Sequence, residues 1–250
     1  VVRRSWLPFE TPSTGTEPAT AVRLLRNGEL RGPLPSDPTE LVVYVHGWLE
    51  RLAGDAAAQT NAVAEAVDAS DHEATVVGFS YPANLPLWRA SKVIATRRGR
   101  ELAAWVEAFG AECPDTPVRL VAHSLGARPV LACLATLADH AGRVQSVSLM
   151  GAAVDCDSVT DAGRWHAAVR DGAARVHNYH TRDDRPLTML YRPAEFGAVA
   201  LGVDGACGSS PATYADHDVT GRVTNHFTYL REDGGCLDRV IADFDRAEPT

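Results

Sequence analysis

Ser124 is the residue of this chain whose surroundings best prepare it for chemistry. It follows an apolar run, Val118 to Ala122, and precedes a helix-like segment over 125–138 that has Gly126 near its start. A hydroxyl becomes a useful nucleophile when a tight turn holds it bare beside a base, and small flanking residues make such a turn possible. The pattern therefore predicts a strand, a strained turn and a helix, with Ser124 as the nucleophile of an acyl-transfer reaction.

A histidine is the base that best suits a serine hydroxyl, because its pKa lies near neutrality. His226, in a loop shortly before the last predicted helix, is the favoured candidate. His217 is the alternative. Its flanking acids, Asp216 and Asp218, also fit an ion-pair cluster or a weak metal site, although the sequence shows no further ligands.

The third group should be a carboxylate that orients the imidazole and stabilises its charged form. The segment after the last clear predicted strand supplies Asp183 and Asp184, of which Asp184 is favoured. Asp155, after the preceding strand, is a third candidate. The chain order serine, acid, histidine is the one expected when the three groups follow successive strands of one α/β sheet.

Acyl transfer also needs backbone N–H groups that already point at the developing oxyanion. His46-Gly47-Trp48 directly follows the predicted strand Leu41–Val45, and Gly47 lets the backbone turn inwards. We expect the amides of Trp48 and Leu125 to form this oxyanion hole. His46 is expected to support the loop and not to act as the base.

Strands and helices alternate along the chain in the way that positions such residues. Apolar β-branched runs predict strands, amphipathic segments predict helices, and Asn27-Gly28 predicts a hairpin. The alternation implies one α/β domain over 1–250, a mostly parallel sheet with helices on both faces, and an extended arm at 1–20. The strands are predicted at 41–45, 75–79, 118–122, 144–151 and 175–179, and the helices at 55–69, 99–109, 125–138, 163–169 and 237–245.

Composition narrows the class of partner. The net charge of −8 argues against nucleic acid, and no apolar run approaches the length of a membrane span. Lys92 is the only lysine among 24 basic residues, a composition that resembles proteins of salt-loving archaea. The sequence gives no prediction of oligomeric state.

The five cysteines match no zinc-site spacing. Cys133 is expected to pack in the core, whereas Cys207 and Cys236 lie in loop-like sequence and are candidates for a disulfide. The odd count favours the cytoplasm. The chain starts at Val1 without an initiator Met, so we expect it to be trimmed and leave export open.

On these residues the chain resembles the α/β-hydrolases, in particular small lipases and esterases with an Ala-His-Ser-x-Gly nucleophile elbow. The Val-His-Gly-Trp loop resembles the family's oxyanion loop. Asn178–Leu187 resembles its acid segment, an alignment that selects Asp184. Asp216–Thr220 and Gly235–Asp238 look like the C-terminal part of uncharacterised haloarchaeal members. The resemblance covers about residues 41–245. It implies an α/β-hydrolase fold and ester hydrolysis through an acyl-enzyme, without a metal or organic cofactor.

Two segments are candidates for a lid or pocket wall. Residues 81–98 are apolar and Pro-rich at their start, where Leu85, Leu87 and Trp88 are the expected contacts to an acyl chain. The long segment 191–222 is the second candidate. The expected substrate is a small-molecule ester or lipid. Thioesters, lactones and amides remain alternatives on the same three residues, as does a non-catalytic binding protein on a hydrolase fold.

Overall fold

The structure is a computed structural model that describes residues 22–49 and 55–244, so the arm predicted at 1–20 lies outside the described residues. Its strands are β1 Leu24–Arg26, β2 Glu29–Arg31, β3 Leu41–Val45, β4 Thr75–Ser80, β5 Val118–His123, β6 Ser146–Met150, β7 Val176–His180 and β8 Tyr214–Asp218. They form one sheet in the order β2-β1-β4-β3-β5-β6-β7-β8. In this sheet β2 pairs antiparallel with β1, and the pairs from β1 through to β8 are parallel.

Helices connect the strands and cover both faces of the sheet, as predicted. They are α1 Ala56–Asp68, α2 Trp88–Glu112, α3 Ala127–Asp139, α4 His166–Gly172, α5 Arg192–Ala194, α6 Leu201–Asp204 and α7 Leu237–Ala242. A single 3-10 turn, Ser124–Gly126, leads into α3, and a π-helical turn, Leu187–Tyr191, leads into α5. The parallel sheet with helices on both sides is the α/β-hydrolase fold that the sequence predicts.

Local sequence signals explain where several elements begin. Asn27 and Gly28 both adopt left-handed backbone angles, φ 52° and φ 77°, as the two-residue turn between β1 and β2 requires. Asp55 caps α1, because its carboxylate accepts a hydrogen bond of 2.8 Å from the Ala58 amide. The hairpin at Asn27-Gly28 and a helix that starts near Asp55 were both predicted from the sequence.

The continuous apolar run of β3 is explained by burial on both faces of the sheet. Leu41, Val43 and Val45 face a core shared with α2, α3 and α4. Val42 and Tyr44 face a second core, built with α1 and α7. The central strands are thereby held rigidly between two helical layers, and their carboxyl ends are fixed points on which a site can be built.

Chain order reverses in the sheet between β3 and β5. The chain runs from β3 outwards to β4 and then returns to place β5 on the other side of β3. In open parallel sheets, such a switch point leaves a crevice outside the carboxyl ends of the strands. The loop after β3 and the turn after β5 meet at this crevice, and these are the segments that carry Trp48 and Ser124.

Helix α2 corrects one predicted boundary and shows the structure of one lid or pocket-wall candidate. It begins at Trp88, eleven residues before the predicted start at Gly99. Gly99 lies inside the helix, where a Cβ would meet the Pro129 carbonyl oxygen at 2.6 Å. The glycine therefore marks the close contact between α2 and α3. Residues 88–98 of the predicted loop 81–98 are helical, and only its beginning is irregular.

Residues 191–222 also differ from the prediction of a long irregular cover. They contain α5, α6 and an eighth strand, β8, which lies at the edge of the sheet beyond β7, the last clear strand that was predicted. The sequence hides β8 because an edge strand need not be apolar, and this one is Tyr-Ala-Asp-His-Asp. Helix α4 begins at His166, three residues later than predicted, because turns occupy the preceding residues.

Candidate active site

The turn after β5 holds Ser124 in a strained conformation. Its φ of +56° lies in the left-handed region, which is unfavourable for a residue with a side chain. Gly126 is required for packing, because a Cβ there would meet the carbonyl oxygens of Val45 and His46 at 2.3 and 2.7 Å. The close neighbour of Gly126 is thus the backbone at the end of β3.

Ser124, His226 and Asp184 form a continuous hydrogen-bonded chain. His226 Nε2 lies 2.8 Å from Ser124 Oγ, and His226 Nδ1 lies 2.6 Å from Asp184 Oδ2. Because the carboxylate can only accept, Nδ1 carries the proton and the Ser124 hydroxyl donates to Nε2. The three side chains are buried, with Ser124 and His226 each 6% exposed and Asp184 fully enclosed.

The Asp184 carboxylate is fixed by the segment that follows it. Its Oδ1 accepts a hydrogen bond of 2.9 Å from the Leu187 amide, which leaves Oδ2 directed at His226. The Thr188 hydroxyl donates to the Asp184 carbonyl oxygen. The π-helical turn that starts at Leu187 is therefore tied directly to the acid.

The structure brings neither of the other two carboxylate candidates to His226. Asp183 accepts a hydrogen bond from the Gly221 amide at 3.3 Å. Asp155 accepts a hydrogen bond of 2.6 Å from the Tyr191 hydroxyl. Asp184 is the carboxylate that contacts His226, as the sequence pattern favoured.

His217 belongs to a different cluster, on β8. It contacts His177 at 2.9 Å and stacks on Tyr179, with ring centroids 4.8 Å apart. Asp216, one of its flanking acids, accepts hydrogen bonds from Asn178 and Tyr214. Within residues 22–49 and 55–244, no group of three or more His, Cys, Asp or Glu side chains is arranged to hold a metal ion.

The loop after β3 packs directly against Ser124. A Cβ on Gly47 would meet the Ser124 Cβ at 2.9 Å, so only glycine brings this backbone so close. His46 supports the loop: it accepts a hydrogen bond of 3.2 Å from the Tyr81 amide and stacks on the Tyr81 ring. Trp48 follows Gly47, and Leu125 follows Ser124, so both candidate oxyanion donors flank the contact between these two turns.

His123 is a supporting residue that the sequence analysis did not single out. Its Nε2 lies 2.8 Å from the carbonyl oxygen of His226. Burial, and secondarily the nearby His226, lower the pKa of His123 to about 3, so its imidazole is neutral at pH 7 and donates Nε2–H to this carbonyl. His123 thus fixes the backbone of the proposed base. Its place directly before Ser124 was the available sequence signal.

The three expected substrate contacts lie beside the loop after β3, in different environments. The Leu85 carbonyl oxygen accepts a hydrogen bond of 2.8 Å from the Trp48 indole, and Leu87 is 69% exposed. Trp88 is half-buried between Trp48 and Tyr191, with ring centroids 5.2 and 5.7 Å away. Trp88 therefore links the loop after β3 to the π-helical turn after Asp184.

The cysteine pairing differs from the expectation. Cys156 and Cys207 form a disulfide, with Cα atoms 5.3 Å apart. Cys236 is buried and free, because it packs with α7 in the second core. Cys133 lies in the main core, as predicted. The disulfide joins the loop after β6 to the segment that leads into β8.

Comparison with known proteins gives relatives of sequence and of fold. The chain is 34% identical over 119 residues to the "Transmembrane and coiled-coil domain-containing protein STS1" of Oryza sativa subsp. japonica, a match covering 46% of this chain and 17% of that protein. The chain spans about a fifth of the length of the curated relatives it matches.

Among the helices of the described residues, none is both long enough and apolar enough to cross a bilayer.

Solved structures of other proteins resemble this fold. The product of the gene lin2722 from Listeria innocua has a TM-score of 0.52 at 10% identity, covering 84% of this chain and 96% of that one. The catalytic core of an acetyl xylan esterase from Trichoderma reesei is a more distant match, with a TM-score of 0.48 at 15% identity, covering 83% and 98%. Residues 83–242 match the family described as "Protein of unknown function (DUF726)". Because this match spans more than half of the chain's length, the chain belongs to that family.

Proposed function

We propose that this chain is a serine hydrolase that cleaves carboxylic esters through an acyl-enzyme. One observation carries the proposal: the hydroxyl at the strained turn is hydrogen-bonded to an imidazole, which is itself bonded to a buried carboxylate. These three groups, in these roles, activate a serine for attack on a carbonyl carbon. The expected substrate is a small-molecule ester or a lipid.

In the proposed first step, Ser124 Oγ bonds to the carbonyl carbon while its proton passes to His226 Nε2. The carbonyl oxygen becomes an oxyanion, which the amides of Trp48 and Leu125 would stabilise. When the tetrahedral intermediate collapses, the ester C–O bond breaks and the leaving alkoxide takes the proton from His226. Asp184 stays ionised and holds the imidazolium in place.

In the second step, water attacks the acyl-enzyme and gives a proton to His226 Nε2. Collapse of the new intermediate breaks the bond to Ser124, releases the carboxylic acid and returns the proton to Oγ. No residue changes its protonation state over the full cycle, which the hydrogen-bonded chain can therefore repeat.

The packing around the nucleophile supports catalysis over a purely structural role. A structural serine in a strand–helix connection has no need of a left-handed φ, or of a glycine held against its Cβ. A non-catalytic binding protein on this fold would be expected to have lost one of the three groups. We expect short to medium acyl chains, because neither candidate segment beside the site, 81–98 or 191–222, is long enough to form a separate cap domain.

The test is the hydrolysis of a short p-nitrophenyl ester by the wild type, Ser124→Ala and Ser209→Ala. Ser209 is an exposed serine and controls for the loss of a hydroxyl. We expect Ser124→Ala to lose about 10⁴-fold or more in kcat/KM and Ser209→Ala to match the wild type. A Ser124→Ala protein that folds and retains the wild-type rate would rule out this nucleophile. Thioester, lactone and amide analogues in the same assay would define the substrate class.

Two further expectations belong with this proposal. That residues 1–250 form a single domain and that the protein is cytoplasmic remain predictions from the sequence. The Cys156–Cys207 disulfide argues against the second of these, because it favours an oxidising compartment over the cytoplasm. Non-reducing peptide mapping of the protein isolated from its own cells would distinguish the two: a blocked Cys156–Cys207 pair favours export, and free thiols favour the cytoplasm.

A further inference from the structure

Large apolar side chains that face solvent are concentrated at the edge of the sheet that carries the candidate site. Phe227 adjoins His226, with ring centroids 5.4 Å apart. The others lie on two segments, 85–100 and 185–197, which we call the rim. The exposed large apolar residues of the described chain are Leu85, Leu87, Val93, Met189, Leu190, Phe196 and Phe227. Such clustering on one face marks an interaction surface.

The two segments of the rim are joined into one surface. The Trp88 indole donates a hydrogen bond to the Glu195 carboxylate, and Lys92 forms an ion pair with the same group. The Arg89 guanidinium lies 5.1 Å from the centre of the Phe196 ring. Movement of one segment would therefore break contacts with the other. These contacts hold the exposed apolar side chains of the two segments in fixed relative positions.

The rim carries the opposite charge to the rest of the chain. Residues 85–100 contain five basic and no acidic residues, and residues 185–197 contain two basic residues and one acidic residue. The rim therefore has a net charge of +6, and one of its cations, Arg98, forms an ion pair with Glu101 just beyond the rim. The other residues contain 17 basic and 31 acidic groups, a net charge of −14 within a chain of −8. An anionic surface would attract this face and repel the remainder.

The basic and apolar residues of the rim are interleaved. Along α2, Arg89, Val93, Arg97 and Arg100 follow one another at helical spacing, and each is exposed. Cations that flank apolar anchors in this way suit the head-group region of a bilayer, where charges meet lipid phosphates and apolar tips enter the acyl boundary.

Phe196 is the clearest anchor. It is 86% exposed and adopts φ 54°, a left-handed conformation that is costly for a bulky residue. Asparagine or glycine would fit this backbone better. Beyond its contact with the Arg89 guanidinium, this strained phenylalanine projects into water and is available for contact with something outside the chain.

We infer that the rim docks the protein onto a lipid bilayer that contains anionic head groups. A second copy of this chain is a poor occupant, because a symmetric dimer would press one rim of charge +6 against another. A bilayer accepts separate apolar tips without needing a complementary groove. Docking would bring Ser124 close to the ester bonds of lipids. That consequence rests on the proposed function, whereas docking itself does not.

The experiment measures co-sedimentation of the full chain with vesicles of phosphatidylcholine, with and without phosphatidylglycerol, at low and high salt. We expect binding to the vesicles that contain phosphatidylglycerol, weakened by salt because exposed charges are screened. Met189→Ser combined with Phe196→Ser should reduce binding by about tenfold for each apolar tip removed.

A matched pair of charge variants separates the rim from the net charge. Arg97→Gln with Arg192→Gln should weaken binding by about fivefold for each arginine. Arg143→Gln with Arg170→Gln changes the net charge equally, but these exposed residues lie by the amino ends of the strands, away from the rim. The second pair should bind like the wild type.

Three outcomes would overturn the inference: no binding to vesicles with phosphatidylglycerol, equal losses from both charge pairs, or a wild-type dimer that Phe196→Ser converts to a monomer. Turnover of a soluble p-nitrophenyl ester is measured on the same samples. The Met189→Ser and Phe196→Ser variant should keep the wild-type rate, because both residues lie outside the Ser124, His226 and Asp184 chain. If no preparation turns over the ester, the proposed function fails while the vesicle result still stands.

Discussion

Buried polar networks lie at both ends of the parallel sheet, and they are built differently. At the amino ends of β3 and β5, Glu40 and Arg119 form an ion pair, and Arg119 also donates to Ser146 and to the Phe244 carbonyl oxygen. His72 closes that network by contacting the Glu40 carboxylate at 3.0 Å. Each group there meets another protein group.

At the carboxyl ends of the strands, the network is instead an open line. It runs from Asp184 through His226 and stops at the hydroxyl of Ser124, on a strained turn beside the crevice. Both networks contain a buried carboxylate and a nitrogen partner, yet one joins several elements and the other ends at a hydroxyl beside the crevice. The position of the last group, and not the composition of the network, distinguishes the network proposed for catalysis from the one proposed for stability.

The largest expected effect is a loss of activity on substitution of Asp184, in the network at the carboxyl ends of the strands. Asp184→Asn should lower kcat by about 10⁴-fold with little change in folding, because the amide no longer selects the imidazole tautomer that accepts from serine. Kinetics on a p-nitrophenyl ester and a thermal melt would measure both. Asp183→Asn is the matched control and should retain wild-type activity; a strong loss in Asp183→Asn alone would reverse the assignment of the acid.

A substitution in the network at the amino ends of the strands should instead lower stability and leave activity unchanged. Glu40→Gln removes the carboxylate from the buried ion pair with Arg119 and should lower the free energy of unfolding by about 3 kcal/mol. At temperatures where the variant is folded, esterase activity should be retained. Urea unfolding beside Glu73→Gln, a substitution of an exposed acid, provides the comparison. A Glu40→Gln protein as stable as the control would show that this network contributes little.

His123 makes the stability of the folded protein depend on pH. Its pKa in the folded protein is about 3, below the ordinary value of 6.5, so the unfolded chain binds a proton that the folded chain excludes. The stability contribution is present above pH 6.5 and is lost as pH falls towards 3, at about 1.4 kcal/mol per pH unit. Between pH 6.5 and 5, the wild type should lose about 2 kcal/mol more than His123→Gln in urea unfolding. Parallel losses would contradict this.

The smallest expected effect concerns the rim. Phe196→Asn relieves a left-handed backbone at the expense of the contact with Arg89. The relieved strain exceeds the lost cation–π contact, so the variant should be more stable by about 0.5–1 kcal/mol. A chemical denaturation curve would measure this gain. A less stable variant would show that Phe196 serves the fold.

The turns around Ser124 and Gly47 were predictable because their signals are local. A buried strand that runs into a serine between small residues is typical of a nucleophile turn, and the three-residue order then indicated the acid and the base. The start of α2 was not predictable from its pattern. Its first turns are rich in arginine on the exposed side, and Gly99 resembles a helix boundary although it is a contact with α3.

Contacts between residues far apart in the chain were the other feature of the structure that the sequence did not predict. Five cysteines allow many disulfides, and only the fold shows that Cys156 and Cys207 meet. Strand β8 was missed because its polar side chains, such as Asp216, are satisfied by neighbours 38 residues away in the sequence, including Asn178. Such partners leave no local signal. The haloarchaeal resemblance stays a prediction.

The most direct test of the account is covalent labelling by a fluorophosphonate probe, followed by mapping of the modified peptide. The probe reacts with a serine only when a base activates it. The account predicts one equivalent of label on Ser124 in the wild type, and slow labelling of that serine in His226→Gln. Failure of the folded wild type to label, or attachment of the label to another serine, would contradict the claim that Ser124 ends an activating hydrogen-bonded chain.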